Sequence, residues 1–278
     1  MRLSTLPPAV LVTFLCAFAC AQTEKTVYKD LAAKAPELVK LQSELEQTVP
    51  QGVSIQAREV FRSGTSGNGL EVRYNMYVKG VPPGATFRQV QFPVDPDKPI
   101  PGIEGITLNS DGLMICAGRT STQCRNGDKL DSPVVFVQHD PLKGEPRRSV
   151  FLAPNLKIAI SVVPDPVLSV DRGCTIKAIR LSAKFELARI EGSGFTPNSD
   201  VHIRFSDDEN AGASIIAADG QITTAHGGDT NVAVTADGQG LIQTATLFNT
   251  SRNPRGRETV EITEPRCSPK ISYEWGVF

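Results

Sequence analysis

The chain has 278 residues, with 29 basic and 30 acidic side chains and a formal net charge of −1 at neutral pH. This near balance of charge is not that of a protein that binds nucleic acid or a membrane surface electrostatically. The length is sufficient for two domains, each with its own hydrophobic core.

Residues 1–21 have the features of a secretory signal peptide. Arg2 precedes an apolar run over residues 9–19, which is about half the ~20 residues that a membrane-spanning helix needs. Small residues favour cleavage before Gln22. Cleavage before Cys20 is the alternative and would leave a cysteine for a lipid anchor, as in bacterial lipoproteins. Either cut predicts an exported protein, whether periplasmic, cell-surface or secreted, and no later segment is apolar enough to be a transmembrane helix.

Residues 22–48 are predicted to form a short helical spacer. Leucines recur there at helical spacing, and Pro36 either begins a second helix or kinks a single one. Two placements remain open. The helix is either a free stalk that holds the rest of the chain away from a surface, or a helix packed on the first β-domain.

From residue 49 onward the pattern changes to short strands separated by turns. Residues 70–78 alternate apolar and polar side chains, and Asp111-Gly112 is a typical hairpin dipeptide. Two prolines interrupt the strands near residue 165, which predicts a linker. The sequence therefore predicts an all-β fold of two Ig-like antiparallel β-sandwiches in tandem: domain 1 over residues 49–163, a proline-rich linker over 164–167 and domain 2 over 168–278.

The second predicted domain contains a glycine-rich turn followed by a strand. Gly192-x-Gly194-Phe195-x-Pro197 precedes an alternating apolar pattern at residues 201, 203 and 205. This turn, with Ala218-Asp219-Gly220 downstream, resembles bacterial Ig-like domains of the IPT/TIG type over roughly residues 187–225. The resemblance implies an Ig-like sandwich used for adhesion, for binding or as a spacer beside enzymes, and it implies no catalytic residues. Residues 218–221 recur as residues 236–239, which predicts two hairpin turns in one meander.

Four cysteines remain if Gln22 is the first residue of the mature chain, and an even number in an exported protein predicts disulfides. Each predicted domain holds two of them, which favours the pairs Cys116–Cys124 and Cys174–Cys267. The second pair would join the opening and closing strands of its domain. A zinc site is the alternative, but neither CxxC-like spacing nor nearby histidines support it.

No cofactor, metal or catalytic residue is predicted. The three histidines are far apart in the sequence, and no G-x-S-x-G elbow is present. The acidic run at residues 207–210 is interpreted as a solvated loop rather than a calcium site. Two basic segments, residues 143–148 and 252–257, are likewise interpreted as solvated turns, the alternative being contact with anionic partners.

The last strand carries Tyr273 and Trp275 on one face, together with Ile271. One interpretation is a core strand that completes the second sandwich, and the other is an aromatic platform that stacks against sugars. The sequence therefore predicts a non-catalytic exported binding or structural module of the bacterial cell envelope. Its partner would be an envelope protein or a polysaccharide. The alternative is a carbohydrate-binding or carbohydrate-active accessory protein, which depends on an exposed Trp275.

Overall fold

The computed structural model describes residues 49–65, 67–92, 100–116, 132–182, 184–207, 213–217, 222–225, 229–248 and 254–276. The signal peptide and the helical spacer predicted over residues 1–48 lie outside them. All of the described residues fall within one compact unit, Glu44–Phe278. Within this part of the chain the regular elements are all strands, and every strand pair is antiparallel. A search of the same residues for a helix that could cross a membrane finds none.

The all-β prediction is confirmed, and most predicted strands are present within a few residues of their expected ends. The strands are β1 Ser54–Thr65, β2 Asn68–Lys79, β3 Arg88–Phe92, β4 Ile100–Pro101, β5 Ile106–Leu108, β6 Met114–Cys116, β7 Val135–His139, β8 Arg147–Ala153, β9 Leu156–Val162, β10 Val167–Asp171, β11 Cys174–Arg180, β12 Leu187–Ser193, β13 Asp200–Asp207, β14 Ala213–Ala217, β15 Ile222–Ala225, β16 Asp229–Thr235, β17 Ile242–Phe248, β18 Arg255–Thr263 and β19 Lys270–Gly276.

Strands β1 to β9 form three sheets around one core, with strand orders β1-β2-β7, β4-β3-β8-β9 and β5-β6. Isolated bridges join them, since Tyr77 pairs with Leu113 and Phe87 pairs with Ile106. The alternation along β2 places every second side chain in this core, where Val72 is fully buried. The rings of Phe136 and Phe151 meet edge to face, with centroids 5.5 Å apart.

The hairpin predicted at Asp111-Gly112 is confirmed, because β5 and β6 pair on either side of it. The Asn109 side-chain oxygen accepts hydrogen bonds from the backbone N–H groups of Asp111 and Leu113, both at 2.9 Å. Gly112 has a φ of +81°, and a Cβ at this position would meet the Val78 carbonyl oxygen at 2.2 Å. The turn therefore requires glycine for both its conformation and its contact with β2.

Strands β10 to β19 form two sheets that share a second core. Their orders are β10-β11-β12-β17-β14-β15 and β16-β13-β18-β19. Buried side chains from both sheets belong to one cluster, so the arrangement is consistent with a β-sandwich. The glycine-rich turn after β12 carries the chain from the six-stranded to the four-stranded sheet, and Phe195 from this turn is buried in the core.

The repeated Ala-Asp-Gly-Gln segments serve different connections, so the prediction of two hairpin turns is wrong for one of them. Residues 236–239 connect β16 to β17, and these strands belong to opposite sheets. The Asp237 carboxylate accepts hydrogen bonds from the N–H groups of Gln239 and Leu241, both at 2.8 Å. Such local capping fits a sheet-to-sheet crossover as well as a hairpin. The other copy separates β14 from β15, which do pair as a hairpin, but residues 218–221 lie outside the described residues.

The segment predicted as a linker is held on both sides by hydrogen bonds. The Arg62 guanidinium donates to the Pro164 carbonyl at 2.8 Å, and the Gly144 N–H donates to the Asp165 carbonyl at 2.6 Å. Val167 is 3% exposed and begins β10, which pairs with β11. Strand β10 thus begins at the last residue of the predicted linker, and the bounds of that linker stay a prediction. The division into two domains stays a prediction.

The predicted Cys174–Cys267 disulfide is confirmed, with Cα atoms 6.1 Å apart and both residues buried. Cys174 begins β11, and Cys267 lies between β18 and β19, so the bond joins the two sheets. Cys174 is not on the opening strand of its sheet as predicted, because β10 precedes it. Cys116 also belongs to a disulfide. Its predicted partner, Cys124, lies outside the described residues, so that pairing stays a prediction.

Candidate ligand-binding cleft

An open cleft of about 770 Å³ lies where the connection between β7 and β8 meets the end of β19. Its volume falls within the range typical of sites for small molecules. Its described lining residues come from five separate parts of the chain: Leu142, Lys143, Val167, Arg180, Lys184, Phe185, Arg257, Ser272, Tyr273, Glu274 and Gly276.

The apolar wall at the back of the cleft contains Phe185 and Tyr273, which are only 1% and 4% exposed and whose rings stack with centroids 4.8 Å apart. The Arg180 guanidinium lies over the Phe185 ring, 4.4 Å from its centroid. Phe185 has a φ of +57°, in the left-handed region that bulky residues rarely adopt. Such a conformation costs about 1–3 kcal/mol and persists only where surrounding contacts fix it. The packing around the ring therefore determines the shape of this wall.

The loop that carries Lys143 is ordered by hydrogen bonds. The Glu145 carboxylate accepts from the Leu142 N–H at 2.8 Å, and the Gly144 carbonyl accepts from the Arg180 N–H at 2.8 Å. Gly144 has a φ of +74°, and a Cβ there would lie 3.0 Å from the Phe185 ring. Only glycine therefore permits this loop to close against the aromatic wall.

The charged groups of the lining are mainly cations. Glu274 is the single acidic residue among the lining residues that the structure describes, and it forms an ion pair with Arg257 at 3.0 Å. Lys143 and Lys184 are exposed, and no residue that the structure describes forms an ion pair with either ammonium group. The Lys184 carbonyl accepts a hydrogen bond from the Gly276 N–H at 2.6 Å, which fixes its backbone at the rim. The cleft is thus basic, and we refer to it as the basic cleft.

Arg180 is a buried cation of this site, with 6% of its surface exposed. Burial lowers the pKa of its guanidinium, while the neighbouring Glu145 and Glu186 carboxylates raise it. The guanidinium remains charged at neutral pH because its usual pKa is so high. It therefore contributes a permanent positive charge behind the aromatic wall.

A buried carboxyl group lies directly behind Tyr273. The Tyr273 hydroxyl donates a hydrogen bond to Glu258, whose side chain is 1% exposed. Burial raises the pKa of Glu258 to about 8, against a partial lowering by the hydrogen bond from Tyr273, and the nearby Asp207 raises it further. Burial also raises the pKa of Tyr273 well above its usual value. Both groups are therefore mostly protonated at neutral pH.

The aromatic platform predicted at Tyr273 and Trp275 is contradicted by their burial. Trp275 is fully buried and Tyr273 is 4% exposed. The Trp275 ring stacks on Phe248, with centroids 4.3 Å apart. Stacking against a sugar requires an exposed ring face, and these rings direct their faces to protein neighbours. The interpretation of β19 as a core strand is confirmed.

The other sequence candidates do not meet in the basic cleft. His139 is exposed on β7, with its Nδ1 3.6 Å from the Glu71 carboxylate, and His202 points outward from β13 as predicted. His226 and residues 208–210 of the acidic run lie outside the described residues. Potential ligand atoms of Cys174, Glu264 and Cys267 lie within 4.8 Å of one another. Both sulfurs belong to the disulfide, however, so this group is not a metal site in the oxidised protein.

Sequence reasoning identified part of the basic cleft but not its assembly. Lys143 and Arg257 belong to the two basic segments that were interpreted as solvated turns, and the structure places both in one lining. Lys184 and Phe185 gave no sequence signal, because a lysine beside an aromatic residue is common on protein surfaces. Proximity of these residues follows from the packing of separate strands.

Comparison with known proteins gives no family for this chain. No protein-family model matches the sequence, and no curated protein matches it significantly.

Proposed function

We propose that this protein is a non-catalytic exported binding module of the bacterial cell envelope and that a small molecule binds in the basic cleft. The observation that carries the proposal is the cleft itself. It is open to solvent and has cations and the exposed Leu142 at its rim, and the packed rings of Phe185 and Tyr273 support it from behind.

The chemistry of the lining favours binding over catalysis. The described residues of the cleft supply cations, aromatic rings and the Ser272 hydroxyl, which accepts a hydrogen bond from Thr259 at 3.3 Å. Among the described residues of the lining there is neither a histidine nor a cysteine, and the carboxylate of Glu274 is paired with Arg257, so none of them offers Ser272 an imidazole as its general base. A protein with this lining is suited to hold a ligand rather than to transform it.

Features of the sequence support both the export of the protein and its Ig-like domain type. The apolar run at residues 9–19 is typical of a signal peptide, and the confirmed disulfide fits an oxidising compartment. The glycine-rich turn at residues 192–197 resembles IPT/TIG domains, which supports Ig-like sandwiches. Mass spectrometry of the mature N-terminus tests the export. We expect a chain that begins at Gln22, and a lipidated Cys20 would indicate a lipoprotein instead.

The ligand-binding role is tested by blocking the cleft. We expect ligand-observed NMR with a library of small acids, amines and neutral compounds to find binders of the wild-type protein. Leu142 is 53% exposed at the rim, so Leu142→Trp should obstruct the cleft without disturbing the core. The matched control is Leu241→Trp, because Leu241 is 43% exposed and lies outside this lining.

Binders that Leu142→Trp loses and Leu241→Trp retains would support the proposal. Equal binding by both variants would place the ligand elsewhere, and a library without a single binder would contradict the binding role. Turnover in a broad hydrolase screen, abolished by one substitution in the cleft, would overturn the non-catalytic part.

A further inference from the structure

We infer that the ligand of the basic cleft is a small amphipathic anion, with a carboxylate or phosphate group held by Lys143 and Lys184 and an apolar body against Leu142 at the rim. This inference rests on the proposed function, because it names the chemical class of the ligand for the same cleft. It is carried by three features: the unmatched charge, the exposed apolar surface and the fixed backbone that presents both.

The charge of the cleft differs from that of the chain. The whole sequence has a net charge of −1, yet the lining contains four basic residues and one acidic residue. The acidic residue, Glu274, is already paired with Arg257. Lys143 and Lys184 remain at the rim without an ion-pair partner in the described part of the chain. An oxyanion between them would gain charge-assisted hydrogen bonds from both ammonium groups.

The apolar surface beside these lysines requires more than an inorganic anion. Leu142 is 53% exposed at the mouth of the cleft, whereas Phe185 is only 1% exposed, so the accessible apolar surface is that of Leu142. An aliphatic or aromatic body would remove this surface from water, at roughly 25 cal/mol per Å² of apolar area. A neutral sugar fits less well, since the rings of Phe185 and Tyr273 already stack on each other.

The main chain at or next to the two lysines is held by hydrogen bonds. Gly144, next to Lys143, donates to the Asp165 carbonyl at 2.6 Å, and the Lys184 carbonyl accepts from Gly276 at 2.6 Å. The main chain at both rim positions is therefore ordered before a ligand arrives. A fixed main chain leaves only the lysine side chains to be ordered on binding, which lowers the entropic cost of holding a ligand.

The test is isothermal titration calorimetry with probes that separate charge from apolar body. Decanoate and decyl phosphate carry the two candidate anionic groups on the same chain. Decanamide removes the charge, and inorganic phosphate removes the chain. We expect one of the two anionic probes to bind at least about tenfold more tightly than decanamide or phosphate, and the affinity to fall as salt is added. The preferred head group then distinguishes a carboxylate from a phosphate monoester.

Charge-neutral variants locate the anion. Lys143→Gln and Lys184→Gln should each weaken the preferred probe by about tenfold, the effect expected for loss of one hydrogen bond to a charged group. Lys157→Gln is the matched control, because Lys157 is an exposed lysine on β9 that does not line the cleft. All three positions are on the surface, so the variants should fold normally.

The outcomes separate this inference from the proposed function. If decanamide binds in the cleft as tightly as decanoate, or if neither lysine variant weakens the probe, the anion inference is wrong while a binding role survives. If library compounds of another class occupy the cleft and none of the four probes binds, the inference is again wrong. If no compound of any class binds, both the inference and the proposed function fail.

Discussion

The buried Glu258 makes a specific prediction about stability and pH. Its side chain is 1% exposed and faces the Tyr273 hydroxyl from β19, Asp207 from β13 and Thr246 from β17. Burial raises its pKa from 4.5 to about 8, so the folded protein binds the proton more tightly than the unfolded chain does. Protonation of Glu258 therefore stabilises the fold in acid. This stabilisation is lost as the pH rises from the unfolded pKa through the folded one.

The magnitude follows from the size of the shift. Between the two pKa values the free energy of unfolding should fall by up to about 1.4 kcal/mol per pH unit. From pH 5 to pH 8 this amounts to about 3 kcal/mol for a single carboxyl group. Glu258→Gln keeps a neutral side chain of similar shape, so its free energy of unfolding should lack this dependence on pH. Any change in stability that the substitution itself causes should be the same at every pH.

Trp275 provides the assay, because it is the single tryptophan of the chain and is fully buried near Tyr273. Urea unfolding followed by its fluorescence at pH 5, 6, 7 and 8 reports on the core that contains Glu258. We expect the wild-type midpoint to fall by about 1–2 M relative to that of Glu258→Gln over this range. Glu274→Gln, on the exposed face of β19, is the control and should follow the wild type. A constant difference between wild type and Glu258→Gln from pH 5 to pH 8 would refute the reasoning.

Two further predictions concern the disulfide and the loop at the basic cleft. Cys174→Ser should lower the melting temperature of its own core more than Cys116→Ser lowers that of the other. The Cys174–Cys267 bond spans a sequence separation of 93, which corresponds to about 4–5 kcal/mol in the loop-entropy model. Calorimetry checks this prediction, and peptide mapping that linked Cys116 to Cys174 or Cys267 would contradict the pairing. Gly144→Ala should destabilise by about 1–2 kcal/mol more than Gly84→Ala. Both glycines have positive φ, but only a Cβ at Gly144 meets a neighbour within 4 Å. Equal losses in urea unfolding would show that contact with the Phe185 ring is unimportant.

Local patterns in the sequence were enough to identify the strands and most turns. Alternation over residues 70–78 predicted β2, because successive side chains of a strand point to opposite faces wherever the strand lies. Asp111-Gly112 predicted a hairpin because the positive φ of Gly112 is a local requirement. Export and an even cysteine count predicted disulfides, and the presence of two cysteines in each predicted domain then favoured the pair Cys174–Cys267.

The basic cleft and the burial of its aromatic residues depend on contacts between distant parts of the chain. The sequence placed Tyr273 and Trp275 on one face of a strand. Only the facing sheet, with Phe248 against Trp275, decides that this face is buried. Lys143 and Lys184 line one cleft because the β7–β8 connection, with Gly144, lies against Phe185. A one-dimensional pattern records which side of a strand is apolar, but exposure, pKa and the assembly of a site depend on the neighbours that tertiary packing brings.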